Sequence, residues 1–91
     1  MSTLPNSSTS KLSQKQIQEL VSLYHNGQFE IALSKIEPLK DLFPEAVVLL
    51  NIEGASNASL QRYQAAIDSY QQAIKIKPDY FEALSNHGNL M

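Results

Sequence analysis

The stretch LLNIEGASNASL, residues 49–60, has the apolar spacing of a buried helix but carries two polar side chains one turn apart. Glu53 and Asn57 stand where apolar residues are expected. A carboxylate and an amide on an inward face indicate either a functional site or a helix whose buried face lies elsewhere. The way in which the neighbouring helices pack decides between these two interpretations.

Landmarks on both sides of this stretch recur with one constant period, and they divide the chain into units of about 34 residues. Five pairs share this period: Phe29 and Tyr63, Ala32 and Ala66, Leu33 and Ile67, Pro44 and Pro78, and Gly54 and Gly88. A constant period of this length, with two helices in each unit, is typical of a stacked array of helical hairpins. No strand-like alternation of apolar and polar residues competes with it.

The first predicted helix begins after Ser13, whose hydroxyl can cap a helix together with Gln16 three residues later. Gly27 supplies a left-handed stop at its end. Between them runs an apolar stripe at helical spacing: Ile17, Leu20, Val21 and Tyr24. A second helix follows from about Gln28. Pro38 predicts a kink or an early end in it, since proline lacks an N–H donor.

Three further helices complete the predicted set. Pro44 suits the first turn of a third helix over about 45–58. A fourth is predicted over about 62–76, and Asp79 can cap a fifth. Residues 1–12 have little to bury, so we expect a disordered tail there. The expected repeat units are about 13–46, about 47–80 and a partial unit over 81–91.

Charge and composition exclude several classes of function. The net charge of −2 and seven scattered basic residues argue against nucleic-acid binding, which depends on clustered Lys and Arg. No apolar run approaches the roughly 20 residues that a membrane helix needs. The absence of cysteine and of an N-terminal apolar segment fits a cytoplasmic protein. We therefore expect neither nucleic acid nor membrane as a partner.

The sequence resembles the tetratricopeptide repeat (TPR) family. The pattern W-x2-L-G-x2-Y…A-x3-F…P is matched in the second unit by Leu50, Gly54, Ala66, Tyr70 and Pro78. The third unit begins with Leu84 and Gly88. The resemblance covers about 13–91 and implies an all-α, right-handed stack of antiparallel helical hairpins, an α-solenoid of about five helices. In such stacks, small residues such as Ala66 and Ala73 let the helices of a hairpin approach closely, Gly54 leaves out a side chain at the crossing, and Tyr63 and Tyr70 fill the space between units.

The resemblance also implies a concave groove, lined by the first helix of each unit, that binds a peptide or a partner protein. The family's groove positions fall in this chain on Ile17, Val21, Tyr24, Asn51, Ala55, Ser85 and Asn89, with Ala58 and Glu82 beside them. No Lys or Arg stands at these positions, so capture of a C-terminal carboxylate by basic side chains is not expected. Asn side chains there can donate to and accept from a peptide backbone.

The polar residues of the opening stretch have two interpretations. Glu19, Glu53 and His87 occupy the same position in the three units, so they form either a polar column in which Glu53 pairs with His87 or a half-exposed row reaching water. An unpaired buried carboxylate is costly, which favours the row. Asn57 is expected at the hairpin rim, hydrogen-bonded to nearby backbone. We expect no catalytic residue, metal or cofactor, since no motif for one is visible.

The main hypothesis is a non-enzymatic scaffold for protein–protein interaction. The alternative is a fragment that forms the N-terminal substrate-docking or dimerisation segment of a larger transferase, because the run ALSNHGNL, residues 83–90, resembles repeats that precede transferase domains. Catalysis would then lie beyond Met91, and the length of the natural reading frame would decide it. A homo-oligomer formed through the open C-terminal repeat face is a further hypothesis.

Overall fold

The computed structural model describes residues 12–90, with the side chains of Phe81, Glu82, Asn89 and Leu90 excepted. The described residues form five helices and no strand: α1 Gln14–His25, α2 Phe29–Leu42, α3 Val47–Ser59, α4 Tyr63–Ile76 and α5 Phe81–Leu90. The predicted all-α chain of five helices is therefore confirmed. The predicted disordered tail lies outside the described residues, except for Leu12.

The helices pack as a stack of hairpins with α3 at its centre. Each helix contacts the next along the chain, and α3 also contacts α1 and α5. Thus α3 lies between α1 and α5, as the first helices of successive repeats, while α2 and α4 pack against them. This arrangement is the stack of helical hairpins that the constant period predicts.

The start of α1 has the predicted capping box. The backbone N–H of Gln16 donates to Ser13 Oγ at 3.1 Å, and the backbone N–H of Ser13 donates to Gln16 Oε1 at 2.9 Å. Two N–H groups that a helix start leaves without intrahelical partners are satisfied in this way. The cap therefore marks the start of α1.

The turn between α1 and α2 is closed by a glycine in the left-handed region, as predicted. Gly27 has φ +77°. Its N–H donates to the carbonyl of Tyr24 at 3.0 Å, and the N–H of Gln28 donates to the carbonyl of Leu23 at 2.9 Å. These two bonds form a Schellman motif, which satisfies the free carbonyls at a helix end.

The same motif closes α3 without a glycine. Gln61 stands one repeat period after Gly27 and has φ 65°. Its N–H donates to the carbonyl of Ala58 at 3.0 Å, and that of Arg62 donates to the carbonyl of Asn57 at 2.8 Å. A residue with a Cβ is destabilised by roughly 1–2 kcal/mol in this conformation. The second repeat therefore keeps the turn geometry at a conformational cost.

Replacing Gln61 by glycine is expected to raise the free energy of unfolding by about 1 kcal/mol, because glycine adopts the left-handed region without strain. The reciprocal change, Gly27→Ala, should lower it by about 1 kcal/mol. A Cβ at Gly27 would meet no heavy atom within 4 Å, so this loss is conformational and not steric. Urea unfolding followed by circular dichroism measures both effects. A Gln61→Ala control separates loss of the side chain from relief of strain; equal stabilities for Gln61→Ala and Gln61→Gly would contradict the explanation.

The proline positions differ from the predictions in part. Pro38 does not end α2, which continues to Leu42. Pro44 lies in the turn before α3, so it is not in the first turn of that helix as predicted. In this turn the N–H of Ala46 donates to the carbonyl of Phe43 at 3.1 Å. The third helix therefore begins later than the proline pattern indicated.

The turn before α5 repeats this geometry. The N–H of Tyr80 donates to the carbonyl of Lys77 at 3.0 Å, as Ala46 does to Phe43 one repeat earlier. Asp79 lies within this turn and is separated from Phe81 by Tyr80. It is therefore not directly before the helix that it was predicted to cap.

The core consists of two clusters that meet on α3. The first joins α1, α2 and α3 through Leu20, Ile36, Leu49 and Ile52. The second joins α3, α4 and α5 through Leu50, Ala66, Tyr70, Ala73 and Ala83. Since Leu49 and Leu50 are successive residues, α3 is buried on two sides. Its remaining surface carries Asn51 and Ala55, which are half-buried.

Candidate partner-binding groove

A pocket of about 330 Å³ opens beside α3 on the surface that carries Ala55. Its lining comes from four helices and contains no charged side chain: Tyr24, Ala55, Ala58, Ser59, Tyr63, Tyr70 and Asn86. Below, it is called the groove pocket. An apolar pocket with a few polar groups at its edge is the usual form of a recognition site.

The pocket exists because α3 presents small residues between aromatic rings. Ala55, Ala58 and Ser59 leave space that larger side chains would fill. On one side, the ring of Tyr24 packs edge-on against Phe29, with 5.4 Å between the ring centroids. This contact holds the Tyr24 ring at the border of the first repeat. Two walls of the volume, Tyr24 and the buried Tyr70, are thus held in place before a ligand binds.

Tyr70 forms the rigid inner wall. Only 2% of its surface is exposed, and its ring lies against Gly54 of α3. Burial, with a smaller contribution from Tyr24, raises the pKa of Tyr70 to about 12. The phenol therefore stays protonated and neutral near pH 7. The close approach of α3 and α4 at Gly54 is the one predicted from the repeat pattern.

A pair of amides stands beside the pocket, between α3 and α5. The side-chain Nδ2 of Asn86 donates to Oδ1 of Asn51 at 3.1 Å. Each amide has two donors and a carbonyl acceptor, so this single bond leaves donors on Asn51 and an acceptor on Asn86 for another group. The pair combines a donor and an acceptor, as an extended peptide backbone requires.

The predicted groove residues fall into three groups. Tyr24 and Ala55 line the groove pocket, and Asn51 reaches it through Asn86. Val21 packs against the first core cluster, and Ile17 is half-buried. Ser85 is exposed on α5, and the side chain of Asn89 lies outside the described residues. That these residues contact a partner stays a prediction.

Four lining residues were not among the predicted groove set: Ser59, Tyr63, Tyr70 and Asn86. The two tyrosines belong to α4, the second helix of its hairpin, and were predicted only to fill space between units. Ser59 ends α3 and follows Ala58, which was named beside the groove set. A helical wheel extended to the last turn of α3 would have found Ser59. The position of Asn86 beside the pocket depends on how α5 packs against α3.

On the side of α3 that faces α2, the structure overturns one prediction. Glu53 is not half-exposed, since only 6% of its surface reaches solvent. Its Oε2 lies 2.8 Å from Lys40 Nζ, and its Oε1 accepts the hydroxyl of Ser69 at 2.8 Å. A buried carboxylate is tolerated when it is paired and hydrogen-bonded in this way. The spacing of the repeat could not show that Lys40, near the end of the preceding helix α2, reaches it.

Glu19, Glu53 and His87, which occupy equivalent positions in the three repeats, do not form the polar column that was the alternative prediction. Glu19 is exposed and pairs with Lys35 at 3.6 Å. Lys35 stands one repeat period before Ser69, so both carboxylates contact the same position on the second helix of their hairpin. Among the described residues, Nε2 of His87 is buried without a hydrogen-bond partner, and no Glu53–His87 contact is found. Each of the two carboxylates thus has its own partners: Lys35 for Glu19, and Lys40 and Ser69 for Glu53.

Burial tends to lower the pKa of Lys40, but the hydrogen bond and charge of Glu53 outweigh this and raise it above the ordinary lysine value, with Glu37 and Asp41 contributing. Lys40 is therefore charged near pH 7. The pair holds α2 against α3 through opposite charges, one of which is almost completely removed from solvent.

Asn57 differs from its predicted role. Its backbone carbonyl accepts the turn bonds from Leu60 and Arg62 that end α3. The residue is only 8% exposed, no hydrogen bond to its amide is found among the described residues, and its amide atoms are not among the fully buried ones. The predicted hydrogen bond from this side chain to nearby backbone is therefore wrong. The backbone of Asn57 closes the helix, and its amide remains available.

Comparison with known proteins gives one family and one relative. The family model for the TPR repeat matches residues 54–91. The peroxisomal targeting signal receptor of Candida albicans is 31% identical over 68 residues, which are 75% of this chain and 12% of that protein. The chain thus spans about an eighth of the length of this relative. No solved structure matches. Within residues 12–90, no helix combines the length and apolar character needed to cross a membrane.

Proposed function

Because this chain belongs to the tetratricopeptide repeat family, we propose that it is a non-enzymatic protein–protein interaction module whose groove binds a peptide segment of a partner protein. The groove pocket carries this proposal. It is large enough for one side chain of a bound segment and presents aromatic and small residues with no charge. A neutral lining favours an apolar or aromatic side chain over a charged one.

The amide pair supports binding of an extended segment. Asn51 and Asn86 offer a donor and an acceptor next to the pocket, so a peptide backbone can bond there while a side chain enters between Tyr24 and Tyr63. The pocket walls are already formed by packed helices. Binding therefore loses little entropy in ordering the receptor.

The relative is consistent with this class of ligand. The Candida albicans protein is named a receptor for a peroxisomal targeting signal. We carry over only that general role, because this chain matches a small part of that receptor. The partner itself has to be identified by experiment.

The variant Ala55→Arg is expected to weaken peptide binding at least about tenfold, because a long charged side chain would fill the neutral pocket. The ligand for this test is the tightest synthetic peptide selected from a random library displayed on phage against the full chain. Its Kd is measured by calorimetry. The matched control is Ala65→Arg, since Ala65 is exposed on α4 and does not line the pocket.

Unchanged affinity in the Ala55→Arg protein, or equal losses in both variants, would contradict binding in the groove. Failure to select any peptide would contradict it as well. The variant Asn51→Ala extends the test to the amide pair, since it removes the acceptor of Asn86. Circular dichroism spectra that match the unmodified chain show that each variant remains folded.

Self-association through the open face of α5 is a second candidate, because Leu84 is 39% exposed while Leu50, its equivalent one repeat earlier, is 3% exposed. Light scattering over a dilution series tests this, and a monomer at every concentration would reject it. The role of a docking segment in a larger transferase stays a prediction, to be decided by the natural reading frame.

A further inference from the structure

The inner wall of the groove pocket carries a hydroxyl group that the packing of the helices leaves without a partner. Tyr70 lines the pocket and is almost completely buried, yet its hydroxyl makes no hydrogen bond among the described residues. The hydroxyl oxygen is not one of the fully enclosed unpaired atoms. The small part of Tyr70 that solvent reaches therefore includes this hydroxyl, and it opens into the groove pocket.

Packing of the repeat does not require the hydroxyl. The position one repeat period before Tyr70 carries Ile36, which is fully buried in the first core cluster. Tyr63, the other α4 residue of the pocket, has Phe29 as its equivalent. Both positions are thus filled by apolar side chains in the first hairpin. The hydroxyl groups occur where the pocket lies, and buried tyrosines usually find a hydrogen-bond partner for this group.

A second hydroxyl group borders the same space. Tyr24 reaches the pocket from α1, and its ring is held by Phe29. Tyr24 contributes to the raised pKa of Tyr70, an electrostatic effect that weakens with distance, so the two oxygens lie in the same region of the pocket. Neither hydroxyl bonds to the other or to another group in the described part of the chain. Two neutral hydroxyls from different helices are therefore available to one ligand.

These hydroxyls restrict which side chain can fill the pocket. In the unbound chain solvent reaches the Tyr70 hydroxyl, and a side chain that enters the pocket displaces that solvent. The ligand must then offer an acceptor, because a buried donor without one is costly. Phenylalanine and leucine have no polar atom, and the indole of tryptophan only donates. Tyrosine combines an aromatic ring with an oxygen that both accepts and donates.

Building on the groove function proposed above, we propose that the groove pocket selects a tyrosine side chain of the bound segment. The ring of the ligand lies between Tyr24 and Tyr63. Its oxygen accepts from the hydroxyl of Tyr70, and its own proton is donated to the oxygen of Tyr24. Tyr70 is thus the residue that determines specificity. Because the lining contains no cation, the pocket excludes a phosphorylated tyrosine.

The test uses N-acetyl-tyrosine amide and N-acetyl-phenylalanine amide as probes, with the full chain labelled for NMR. The tyrosine probe should cause saturable shifts of the Ala55 methyl and Asn86 side-chain amide signals. It is expected to bind at least about tenfold more tightly than the phenylalanine probe, which leaves the Tyr70 hydroxyl without an acceptor. Equal binding of the two probes, or of N-acetyl-tryptophan amide and the tyrosine probe, would overturn the proposal.

A phosphorylated probe tests the enclosure of the ligand oxygen. N-acetyl-phosphotyrosine amide should bind at least about tenfold more weakly than the tyrosine probe, because its charged group would be buried without a cation. Binding as tight as that of the tyrosine probe would show that the ligand oxygen stays in solvent, which contradicts the proposal.

Two matched variants assign the preference to one hydroxyl. Tyr70→Phe keeps the ring and removes the donor, so the two probes should bind this variant equally. Tyr80→Phe is the control, because Tyr80 also packs against the second core cluster but does not line the pocket, and it should keep the tenfold preference. A preference that survives in Tyr70→Phe, or that is lost in both variants, would overturn the proposal. Circular dichroism shows whether each variant is folded.

The results also distinguish tyrosine selection from groove binding itself. Ala55→Arg fills the pocket and should abolish the shifts caused by the tyrosine probe; unchanged shifts would place the probe elsewhere and overturn the proposal. If the phage-selected peptide is lost in Ala55→Arg but binds Tyr70→Phe and the unmodified chain equally, the groove function stands and tyrosine selection is wrong. If no peptide is selected but the probes show the preference that depends on Tyr70, tyrosine selection stands and binding of an extended segment is wrong.

Discussion

Replacing Lys40 by methionine is expected to lower the free energy of unfolding by about 3 kcal/mol, because it leaves the buried carboxylate of Glu53 without its cation. Only 6% of Glu53 is exposed, and its remaining partner is the hydroxyl of Ser69. The loss is at the lower end for a broken buried pair, since 28% of the Lys40 side chain reaches solvent. Methionine keeps most of the packing of the lysine stem. Urea unfolding measures the difference.

The control for this prediction is the double variant Lys40→Met with Glu53→Leu. An apolar pair of similar volume removes both charges, so the double variant should lie within about 1 kcal/mol of the unmodified chain or above it. Ser69 would then keep its bond to the backbone carbonyl of Ala65, at 3.1 Å. If the double variant were as unstable as Lys40→Met alone, lost packing and not the orphaned charge would be the cause.

The second large effect is expected at Gly54. A Cβ built there would lie 2.5 Å from Cε1 of the Tyr70 ring, well inside van der Waals contact. Tyr70 is 2% exposed and packs in the second core cluster, so its ring can move away from Gly54 only by disturbing its contacts there. We expect Gly54→Ala to lower the free energy of unfolding by about 2 kcal/mol, an overpacking cost larger than the helix-propensity gain of alanine. Thermal unfolding, followed by circular dichroism, shows the change.

Gly88 is the matched control, because it occupies the same position in the next repeat. A Cβ there would meet no heavy atom within 4 Å. Gly88→Ala should therefore leave stability unchanged or raise it by up to about 1 kcal/mol through helix propensity. Destabilisation of similar size in both variants would mean that the Tyr70 contact is not what demands glycine at position 54.

The helices and turns could be predicted because their signals are local. The capping box at Ser13 and the left-handed Gly27 depend on residues within one turn of the chain, and both are observed. The helix starts were less accurate. Pro44 has the φ preference of a first helical residue, but the turn bond from Ala46 to Phe43 delays the helix to Val47.

The candidate sites could be predicted only in part. Tyr24 and Ala55 were found because the groove positions of the family that the chain resembles fall on them, and both line the groove pocket. Tyr63 and Asn86 were missed because their approach depends on how α4 and α5 cross α3. The pocket that Glu53 and Asn57 line beside α2 had no signal in the pattern, since its walls come together only when α2 and α3 pack.

The sequence by itself determined the repeat period, the all-α architecture and the close contact at Gly54. These follow from apolar periodicity and small residues, which act through the local geometry of the backbone. The tertiary structure alone decided the state of Glu53 and Asn57. Whether a polar residue is exposed, paired or left available depends on which side chains a neighbouring helix brings to it. Lys40 forms an ion pair with the buried Glu53, while no described side chain or backbone group bonds to the Asn57 amide.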